Sequence, residues 1–385
     1  MFDRELISNR ALTEQSAALH PPYPERIGDF MKGEQVQTGA IVREDGSVLF
    51  RLYAPGIDTA RACLTAFPDA VLEMTRDDRG FFEAVLPYDE RFKGPQDVRF
   101  YVNDTLYVHP YMPVHYRSFR LVNFVEIPDP ESEMILLRDV PHGQVVRETF
   151  FSRVRGTWQR LNIYLPPQYR EGGDYPALYL QHGFTENENE WVNMGKLPCL
   201  MDNLIAENKC VPFIVVMSDG MERLPGEDEW DFSSFSRMLL EDVIPFAQAH
   251  YRILPDRKHR AMAGLSMGSE QTSVIGMTHP EVFSALGIFS GFVRMNTRVP
   301  FLSCPHLTRL GDNPRFLAEN FDVFFRSIGE KDSYFPIFKD DRAHLTAMGA
   351  HAFPGWHETV YPGLTHDWGA FRRAMRDFAQ LIFRP

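Results

Sequence analysis

Two patterns of hydrophobic and polar positions divide this chain. From about residue 31 to about residue 130, short segments partly alternate apolar and polar residues and end at Gly, Pro, Asp or Asn; examples are GSVLFRLYAP, ARACLTAF, GFFEAVLPY and DVRFYVND. Such segments predict β-strands, and closely spaced strands without helical segments between them are typical of a β-sandwich. The preceding residues predict an irregular arm, because Pro21, Pro22 and Pro24 prevent a continuous helix.

From about residue 145 the apolar runs alternate with longer helical segments. Buried strands are predicted at PALYLQHG (176–183), PFIVVMSDG (212–220), HRAMAGLS (259–266), SALGIFSG (284–291) and FDVFFRSIG (321–329). Helices are predicted near 197–208, 233–251, 267–279 and 367–383. This alternation predicts a mostly parallel sheet with helices on both faces, whose ligands bind beyond the carboxyl ends of the strands.

We therefore predict an irregular arm over residues 1–30, an all-β module over 31–135 and an α/β domain over 136–385. Among the 385 residues, 44% are hydrophobic and 24% charged, as in globular proteins, and no run approaches the roughly 20 apolar residues that span a bilayer. The N-terminus carries acidic residues early and lacks the basic end and apolar run of a secretory signal. We expect a cytoplasmic protein that has no membrane partner.

Charge and cysteine content narrow the classes of partner. The formal net charge of -12 argues against nucleic acid, because binding to phosphates needs concentrated Lys and Arg, and it disfavours a strongly anionic substrate unless the pocket is locally basic. Cys63, Cys199, Cys210 and Cys304 are widely separated and form no CxxC pair. We predict reduced thiols and no structural metal.

The sharpest local motif is Gly264-Leu265-Ser266-Met267-Gly268. A nucleophilic serine on a tight strand-to-helix turn needs small residues two positions to either side, because the strained backbone brings those positions against the strand and the helix. A GxSxG pattern alone is common. Here it follows a predicted strand and precedes a predicted helix, and we therefore predict Ser266 as the nucleophile of an acyl-transfer site.

A serine hydroxyl needs a base to accept its proton, and in this fold class the acid and then the histidine follow the serine. His366 lies in a loop between the predicted strand HETVYPG and the C-terminal helix, and it is the predicted base. Three other histidines compete with it. His344 and His351 fall in a predicted helix or loop, and His357 falls within a strand.

The acid that orients the base should follow the predicted strand FDVFFRSIG. Asp332 is favoured, and Glu330 remains the alternative. Two backbone N–H groups are also needed to hold the oxyanion. Met267, at the start of the helix after the serine, is one predicted donor. Phe184 is the other, because His182-Gly183 ends the strand PALYLQ and the glycine lets the backbone turn towards the nucleophile.

The C-terminal part resembles the esterase D-like group of α/β-hydrolases, and bacterial feruloyl esterases of carbohydrate esterase family one most of all. The resemblance rests on LNIYLPPQY (161–169), YPALYLQHGFTENENEW (175–191), GLSMG (264–268), GEKD (329–332) and GLTHDW (363–368). It implies an acyl-enzyme mechanism without a cofactor and supports the triad and oxyanion residues chosen above. Ser269-Glu270 departs from the further glycine of many relatives, which affects the expected pocket shape.

The N-terminal part resembles immunoglobulin-like early-set modules, similar to glycogen-binding-type domains. Sugar platforms usually expose aromatic residues, often Trp, but every tryptophan lies in the C-terminal part: Trp158, Trp191, Trp230, Trp356 and Trp368. The module is therefore expected to be a packing or gating element, although Tyr107 and Tyr111 could still stack on a sugar.

For a feruloyl substrate, an apolar slot should hold the aromatic ring, and Phe184, Trp191, Trp230 and Trp368 are its candidate walls. The expected partner is a small-molecule or oligosaccharide ester, and homo-oligomers are left open. One alternative is a cytoplasmic siderophore esterase that cleaves enterochelin-type trilactones, since the resemblance extends to enterochelin esterases. An alternative of another class is a non-catalytic binding protein on the hydrolase fold.

Overall fold

The computed structural model describes residues 38–221, 226, 232–291, 313 and 315–384. The chain divides into two compact units, one ending at Arg138 and the other beginning at Asp139, whereas the predicted boundary was between residues 135 and 136. The predicted arm over residues 1–30, together with Trp230 and Cys304, lies outside the described residues. Within the described segments, no helix is long and apolar enough to cross a membrane.

The N-terminal unit is built from two antiparallel sheets. Its strands are β1 (Gly39–Val42), β2 (Val48–Tyr53), β3 (Ala60–Leu64), β4 (Val71–Glu73), β5 (Thr75–Arg76), β6 (Phe81–Leu86), β7 (Gly94–Val102), β8 (Thr105–Tyr107), β9 (Val114–Arg117) and β10 (Arg120–Ile127). One sheet has the order β1-β2-β6-β5, and the other has the order β4-β3-β7-β10-β9, with β8 paired to β7. Phe50, Phe82 and Phe100 are buried in one shared hydrophobic core. The prediction of a β-sandwich is confirmed.

A buried histidine belongs to this unit. His109 is fully buried; its Nε2 lies 3.2 Å from the carbonyl oxygen of Arg51, and its Nδ1 accepts a hydrogen bond from the Tyr111 N–H. The Asn123 side chain pairs with the backbone N–H and carbonyl of His109. Burial lowers the pKa of His109 to about 4, since the low-dielectric surroundings disfavour the imidazolium, and the bond to Arg51 opposes this only in part.

The C-terminal unit contains a sheet of eight described strands in the order β11-β12-β14-β13-β15-β16-β17-β18. These are β11 (Gln144–Ser152), β12 (Thr157–Leu165), β13 (Ala177–Gln181), β14 (Ile214–Ser218), β15 (Arg260–Leu265), β16 (Ala285–Phe289), β17 (Val323–Gly329) and β18 (Trp356–Tyr361). The pairs β11–β12 and β12–β14 are antiparallel, and every later pair along the sheet is parallel. The predicted strands are present, buried almost throughout as their apolar runs indicated.

Helices alternate with these strands along the chain. They are α1 (Glu190–Asn193), α2 (Leu197–Ala206), α3 (Ser233–Met238), α4 (Ile244–His250), α5 (Met267–Thr278), α6 (Phe316–Asn320), α7 (Phe335–Ala347) and α8 (Trp368–Ala379). A π-helical turn, Leu239–Val243, joins α3 to α4. This architecture is that of an α/β-hydrolase, which confirms the predicted fold class.

Candidate active site

Ser266 lies on a strained turn between β15 and α5. Its backbone has φ 50° and ψ −117°, a conformation that costs a non-glycine residue energy and turns the side chain away from the strand. A Cβ on Gly264 would lie 2.4 Å from backbone atoms of Gly268, and a Cβ on Gly268 would lie 2.6 Å from the carbonyl oxygen of His182. The two glycines are required by close backbone packing, as the motif predicts.

A chain of hydrogen bonds connects the serine to a buried carboxylate. His366 Nε2 lies 3.0 Å from Ser266 Oγ, and His366 Nδ1 lies 2.8 Å from Asp332 Oδ2. The Asp332 side chain is fully buried, and its Oδ1 accepts the Tyr334 N–H at 2.9 Å. With Nδ1–H donating to the carboxylate, Nε2 is the nitrogen that can accept the serine proton.

The competing residues lie elsewhere. Glu330 is exposed, and its Oε2 accepts the Gly363 N–H at 2.9 Å. His344 lies in α7, His351 in a 3₁₀ turn and His357 in β18, as their sequence positions indicated. Of the predicted acids, the structure brings Asp332 to His366.

Aromatic rings frame the imidazole of His366. Tyr334 and Phe371 each contact it edge to face, with ring centroids 5.2 Å away. Burial raises the pKa of the Tyr334 hydroxyl, and the neighbouring Asp332 carboxylate raises it further. The two rings pack against the imidazole, whose hydrogen bonds to Asp332 and Ser266 set its orientation.

The two predicted oxyanion donors lie at strand ends on adjacent strands. Met267 is the first residue of α5, and the first N–H groups of a helix have no acceptor within the helix. Phe184 follows β13, which pairs with β15 up to Gln181 and Gly264. A Cβ on Gly183 would lie 2.7 Å from Leu265 Cδ1, so this loop packs directly on the residue before the serine. Their role as donors stays a prediction.

The tryptophan walls are not supported by the structure. Trp191 and Trp368 are only 1% and 2% exposed, and they pack edge to face on each other with ring centroids 5.1 Å apart. The Trp191 indole N–H donates to the Gln181 carbonyl oxygen. Both rings are therefore core residues and leave no face for a substrate, which corrects their assignment as substrate-binding residues. Phe184 is half-buried, and Trp230 lies outside the described residues.

Ser269 is fully buried and does not face solvent. Its Oγ donates to the Ser266 carbonyl oxygen at 2.5 Å, and a Cβ on Gly291 would lie 1.5 Å from that same Oγ. The departure at this position is thus accommodated by a glycine on another strand end, and the side chain supports the turn from behind.

His182 is a residue whose part in the site the sequence did not predict. It is 1% exposed; its Nδ1 lies 2.8 Å from the Gly183 carbonyl oxygen, and its Nε2 accepts the Gly220 N–H at 3.0 Å. A single histidine next to a glycine gives no sequence signal for such a role. Only its position at the end of a strand pointed towards the site.

Among the described residues, no cluster of three or more His, Cys, Asp or Glu side chains could hold a metal ion. Of the four cysteines, the three in the described segments, Cys63, Cys199 and Cys210, are free thiols.

Known proteins have sequences similar to this chain. A sequence model of the family described as putative esterase matches residues 155–378. An endo-1,4-beta-xylanase/feruloyl esterase of Xylanibacter ruminicola is 28% identical over the whole chain, which covers 52% of that protein. Endo-1,4-beta-xylanase Y of Acetivibrio thermocellus is 26% identical over 69% of the chain and 25% of its own length. The chain spans about half the length of the first of these relatives and a quarter of the second.

Solved structures share the fold. A CE1 ferulic acid esterase from Anaeromyces mucronatus, in complex with ferulic acid, superimposes with a TM-score of 0.56 at 24% identity, over 66% of this chain and 96% of that one. The enterobactin esterase of Shigella flexneri gives a TM-score of 0.61 at 15% identity, over 87% of this chain and 92% of that one. Because the family match covers more than half of the chain and contains the hydrogen-bonded serine, histidine and aspartate, the chain belongs to the putative esterase family and carries an α/β-hydrolase domain of the serine carboxylic ester hydrolase class.

Proposed function

We propose that this protein releases ferulate or a related hydroxycinnamate from feruloylated sugars through an acyl-enzyme intermediate. The observation that carries the proposal is the continuous hydrogen-bonded chain from Ser266 Oγ through His366 to Asp332. The substrate class is supported by the relative named endo-1,4-beta-xylanase/feruloyl esterase, whose similarity extends over the whole chain, including the β-sandwich.

In the first half of the proposed reaction, His366 Nε2 accepts the proton of Ser266 as Oγ attacks the ester carbonyl carbon. The carbonyl oxygen becomes an oxyanion, which the N–H groups of Phe184 and Met267 stabilise. The bond to the sugar oxygen then breaks, and the proton on His366 passes to that oxygen. The sugar alcohol departs, and the acyl group stays on Ser266.

In the second half, water replaces the sugar alcohol. His366 accepts a proton from the water, whose oxygen attacks the acyl carbon, and the proton returns to Ser266 Oγ as the acid leaves. Asp332 keeps the imidazole in one tautomer and stabilises the imidazolium that forms twice in each cycle. Its complete burial and its bond from the Tyr334 N–H suit that role.

A second candidate is hydrolysis of a catecholate trilactone. It is favoured by the similarity to the enterobactin esterase, which covers 87% of this chain against 66% for the ferulic acid esterase. Both candidates use the same triad and differ only in the acyl and alcohol groups, so substrate preference separates them.

The test compares hydrolysis of methyl ferulate, a feruloylated arabinoxylan oligosaccharide and a catecholate trilactone by the wild type and by Ser266→Ala. The substitution should lower kcat by about 10⁴-fold or more, because the nucleophile is lost. Ser47→Ala, which makes the same substitution in the β-sandwich unit, is the matched control and should leave kcat unchanged.

Turnover of the ferulates that disappears in Ser266→Ala supports the proposal. Preference for the trilactone moves the protein to the second candidate, and activity that survives the substitution excludes Ser266 as the nucleophile. If no activated ester is turned over by the wild type and none acylates Ser266, the protein is a non-catalytic binding protein on this fold.

A further inference from the structure

The carbonyl of Gly183 and the N–H of Phe184 belong to the same peptide unit. That unit is planar and trans, so its carbonyl and N–H bonds point in opposite directions. A hydrogen bond that fixes the carbonyl therefore also fixes the direction of the N–H. It also polarises the peptide, because hydrogen bonds in a chain strengthen one another at low dielectric, and so makes the N–H a better donor.

His182 provides the shorter of two hydrogen bonds to this carbonyl oxygen; the Glu186 N–H donates the other at 3.3 Å. The Nδ1 of His182 lies 2.8 Å from the Gly183 carbonyl oxygen, which can only accept, so Nδ1 carries a proton. Its Nε2 lies 3.0 Å from the Gly220 N–H and 3.5 Å from Asp219 Oδ1. The ring is 1% exposed, so water does not compete for either contact. Glu186 Oε2 accepts the N–H of Gly183 at 2.9 Å and holds the preceding peptide unit.

Further hydrogen bonds connect His182 to the helix that follows the serine. Gly220, which donates to His182, accepts the Gln271 Nε2–H at its carbonyl oxygen, 2.9 Å away. A Cβ on Gly220 would lie 2.7 Å from Gln271 Oε1, so this approach requires a glycine. Gln271 is fully buried in α5, the helix that begins at Met267. The path from Gln271 through Gly220 to His182 thus joins the two elements that carry the two oxyanion donors.

We propose that His182 is a positioning residue of the oxyanion site: its Nδ1–H holds the Gly183–Phe184 peptide so that the Phe184 N–H points at the developing oxyanion, and its Nε2 ties that peptide through Gly220 to the nucleophile helix. This inference rests on the proposed esterase function. His182 touches no reacting atom. It acts through the peptide unit that does.

The expected effect follows from the worth of one oxyanion donor. Removing such a donor lowers kcat about 10²- to 10³-fold, and a donor that is present but misdirected loses part of this, about 10- to 100-fold. The loss should fall on kcat and leave KM nearly unchanged, because the interaction forms mainly in the transition state.

Two substitutions separate the two ring nitrogens. In His182→Asn the side-chain amide nitrogen stands near the former Nδ1 and can still donate to the Gly183 carbonyl. In His182→Gln the amide stands near the former Nε2 and can accept from Gly220, while the Gly183 carbonyl keeps only its longer bond from the Glu186 N–H. We expect His182→Gln to lose about 10- to 100-fold in kcat for an activated aryl ester, and His182→Asn to keep most of the activity.

Complete labelling of Ser266 by an irreversible phosphonylating agent counts the folded active sites, so kcat is expressed per labelled site and a partly unfolded variant does not distort the comparison. Equal losses in the two variants, or an effect confined to KM, would overturn the role assigned to His182. Ser266→Ala distinguishes a failure of the proposed esterase mechanism from a failure of the role assigned to His182. Activity that persists in it refutes the esterase mechanism, whereas serine-dependent activity with a normal kcat in His182→Gln refutes only the role of His182.

Discussion

Asp332 is a carboxylate without solvent contact, and its charge is balanced by directed hydrogen bonds. One oxygen faces His366 Nδ1 and the other accepts the Tyr334 N–H. Glu330, two residues earlier, is exposed and bonds only to the Gly363 N–H among the contacts seen for its side chain. The two acids lie two residues apart in the sequence. Burial of the side chain and the direction of its hydrogen bonds, not the residue type, distinguish them.

Replacing Asp332 with Asn should lower kcat by about 10³- to 10⁴-fold with little change in fold. The amide can present its N–H to His366 Nδ1, which moves the imidazole proton to Nε2. A protonated Nε2 can no longer accept the serine proton. Glu330→Gln is the matched control and should keep kcat within about twofold, since surface substitutions away from a site have small effects. Steady-state kinetics with an activated ester measure both; a large loss in the control would identify Glu330 as the acid instead.

At this scale, sequence predicted residues with a local signal and missed those whose surroundings come from elsewhere in the chain. Ser266 was identifiable because its glycines are adjacent in sequence. Trp191 and Trp368 were misassigned because aromatic character suits a core as well as a pocket, and only the contact between the two rings decides which. For His182 the sequence indicated only a position at a strand end, because its second partner, Gly220, is 38 residues away.

The elements explain why the triad assembles. Strands β15, β16, β17 and β18 are parallel neighbours, and Ser266, Asp332 and His366 each come after one of them. Because parallel strands end at the same edge of the sheet, the three residues meet although they are far apart in the sequence. This placement was predictable from strand order and chain order. Asp367 then caps α8 by accepting the Ala370 N–H, so the helix begins at Trp368, two residues after the histidine.

The contact between Ser269 and Gly291 can be tested with a double-mutant cycle. Gly291→Ala places a Cβ 1.5 Å from Ser269 Oγ and 2.6 Å from its Cβ. Rotation of the hydroxyl relieves only the first contact, so we expect a loss of about 1–3 kcal/mol in the free energy of unfolding. With Ser269→Gly as well, the next atom is Ile288 Cγ2 at 3.5 Å, and part of the loss should be recovered.

Urea unfolding followed by tryptophan fluorescence measures all the variants. Gly276→Ala is the matched control, because its Cβ would meet the Leu286 side chain at 2.4 Å, on the same helix as Ser269 but without contact to it. Combined with Gly276→Ala, Ser269→Gly should lower the free energy of unfolding further, by the cost of a glycine within a helix, and should recover none of the loss. Strict additivity of Ser269→Gly with Gly291→Ala would contradict the contact.

At the scale of the whole molecule, the two units have separate hydrophobic cores. The β-sandwich contains a cavity of about 490 Å³ between its strands, and Tyr53 and Tyr107 are among its lining residues. Tyr107 and Tyr111 both pack edge to face on His109. A sugar-stacking role for Tyr107 and Tyr111, the cytoplasmic location, the ester partner and the homo-oligomeric state all stay predictions, because none of them follows from the contacts within either unit.

The β-sandwich should lose stability as the pH falls through the range from 6.5 to about 4. His109 stays neutral in the folded unit down to its pKa of about 4, whereas in the unfolded chain it binds a proton from about 6.5 downwards. The unfolded state therefore binds more protons in this window, so stability is complete above 6.5 and falls by roughly 3 kcal/mol by pH 4. In His109→Gln this component should be absent.

Calorimetry of the full chain at pH 7 and pH 4.5 measures the effect. Since every tryptophan lies beyond residue 138, the transition of the sandwich is the one seen by calorimetry but not by tryptophan fluorescence. Carboxylates titrate in both proteins, so the difference between wild type and His109→Gln isolates His109. An identical pH dependence in the two proteins would show that His109 is not held neutral by the fold.

The edge-to-face contact of Trp191 and Trp368 has an optical consequence. Trp191 follows the loop that carries Phe184, and Trp368 follows His366, so two indole chromophores 5.1 Å apart connect the two sides of the site. Rings held this close in a fixed asymmetric geometry couple their excited states and give a near-ultraviolet circular dichroism signal that is lost when tertiary packing loosens. The hydrolase domain thus contains an intrinsic spectroscopic reporter of the packing between the segment that follows Phe184 and the segment that follows His366, readable without a label or a substrate.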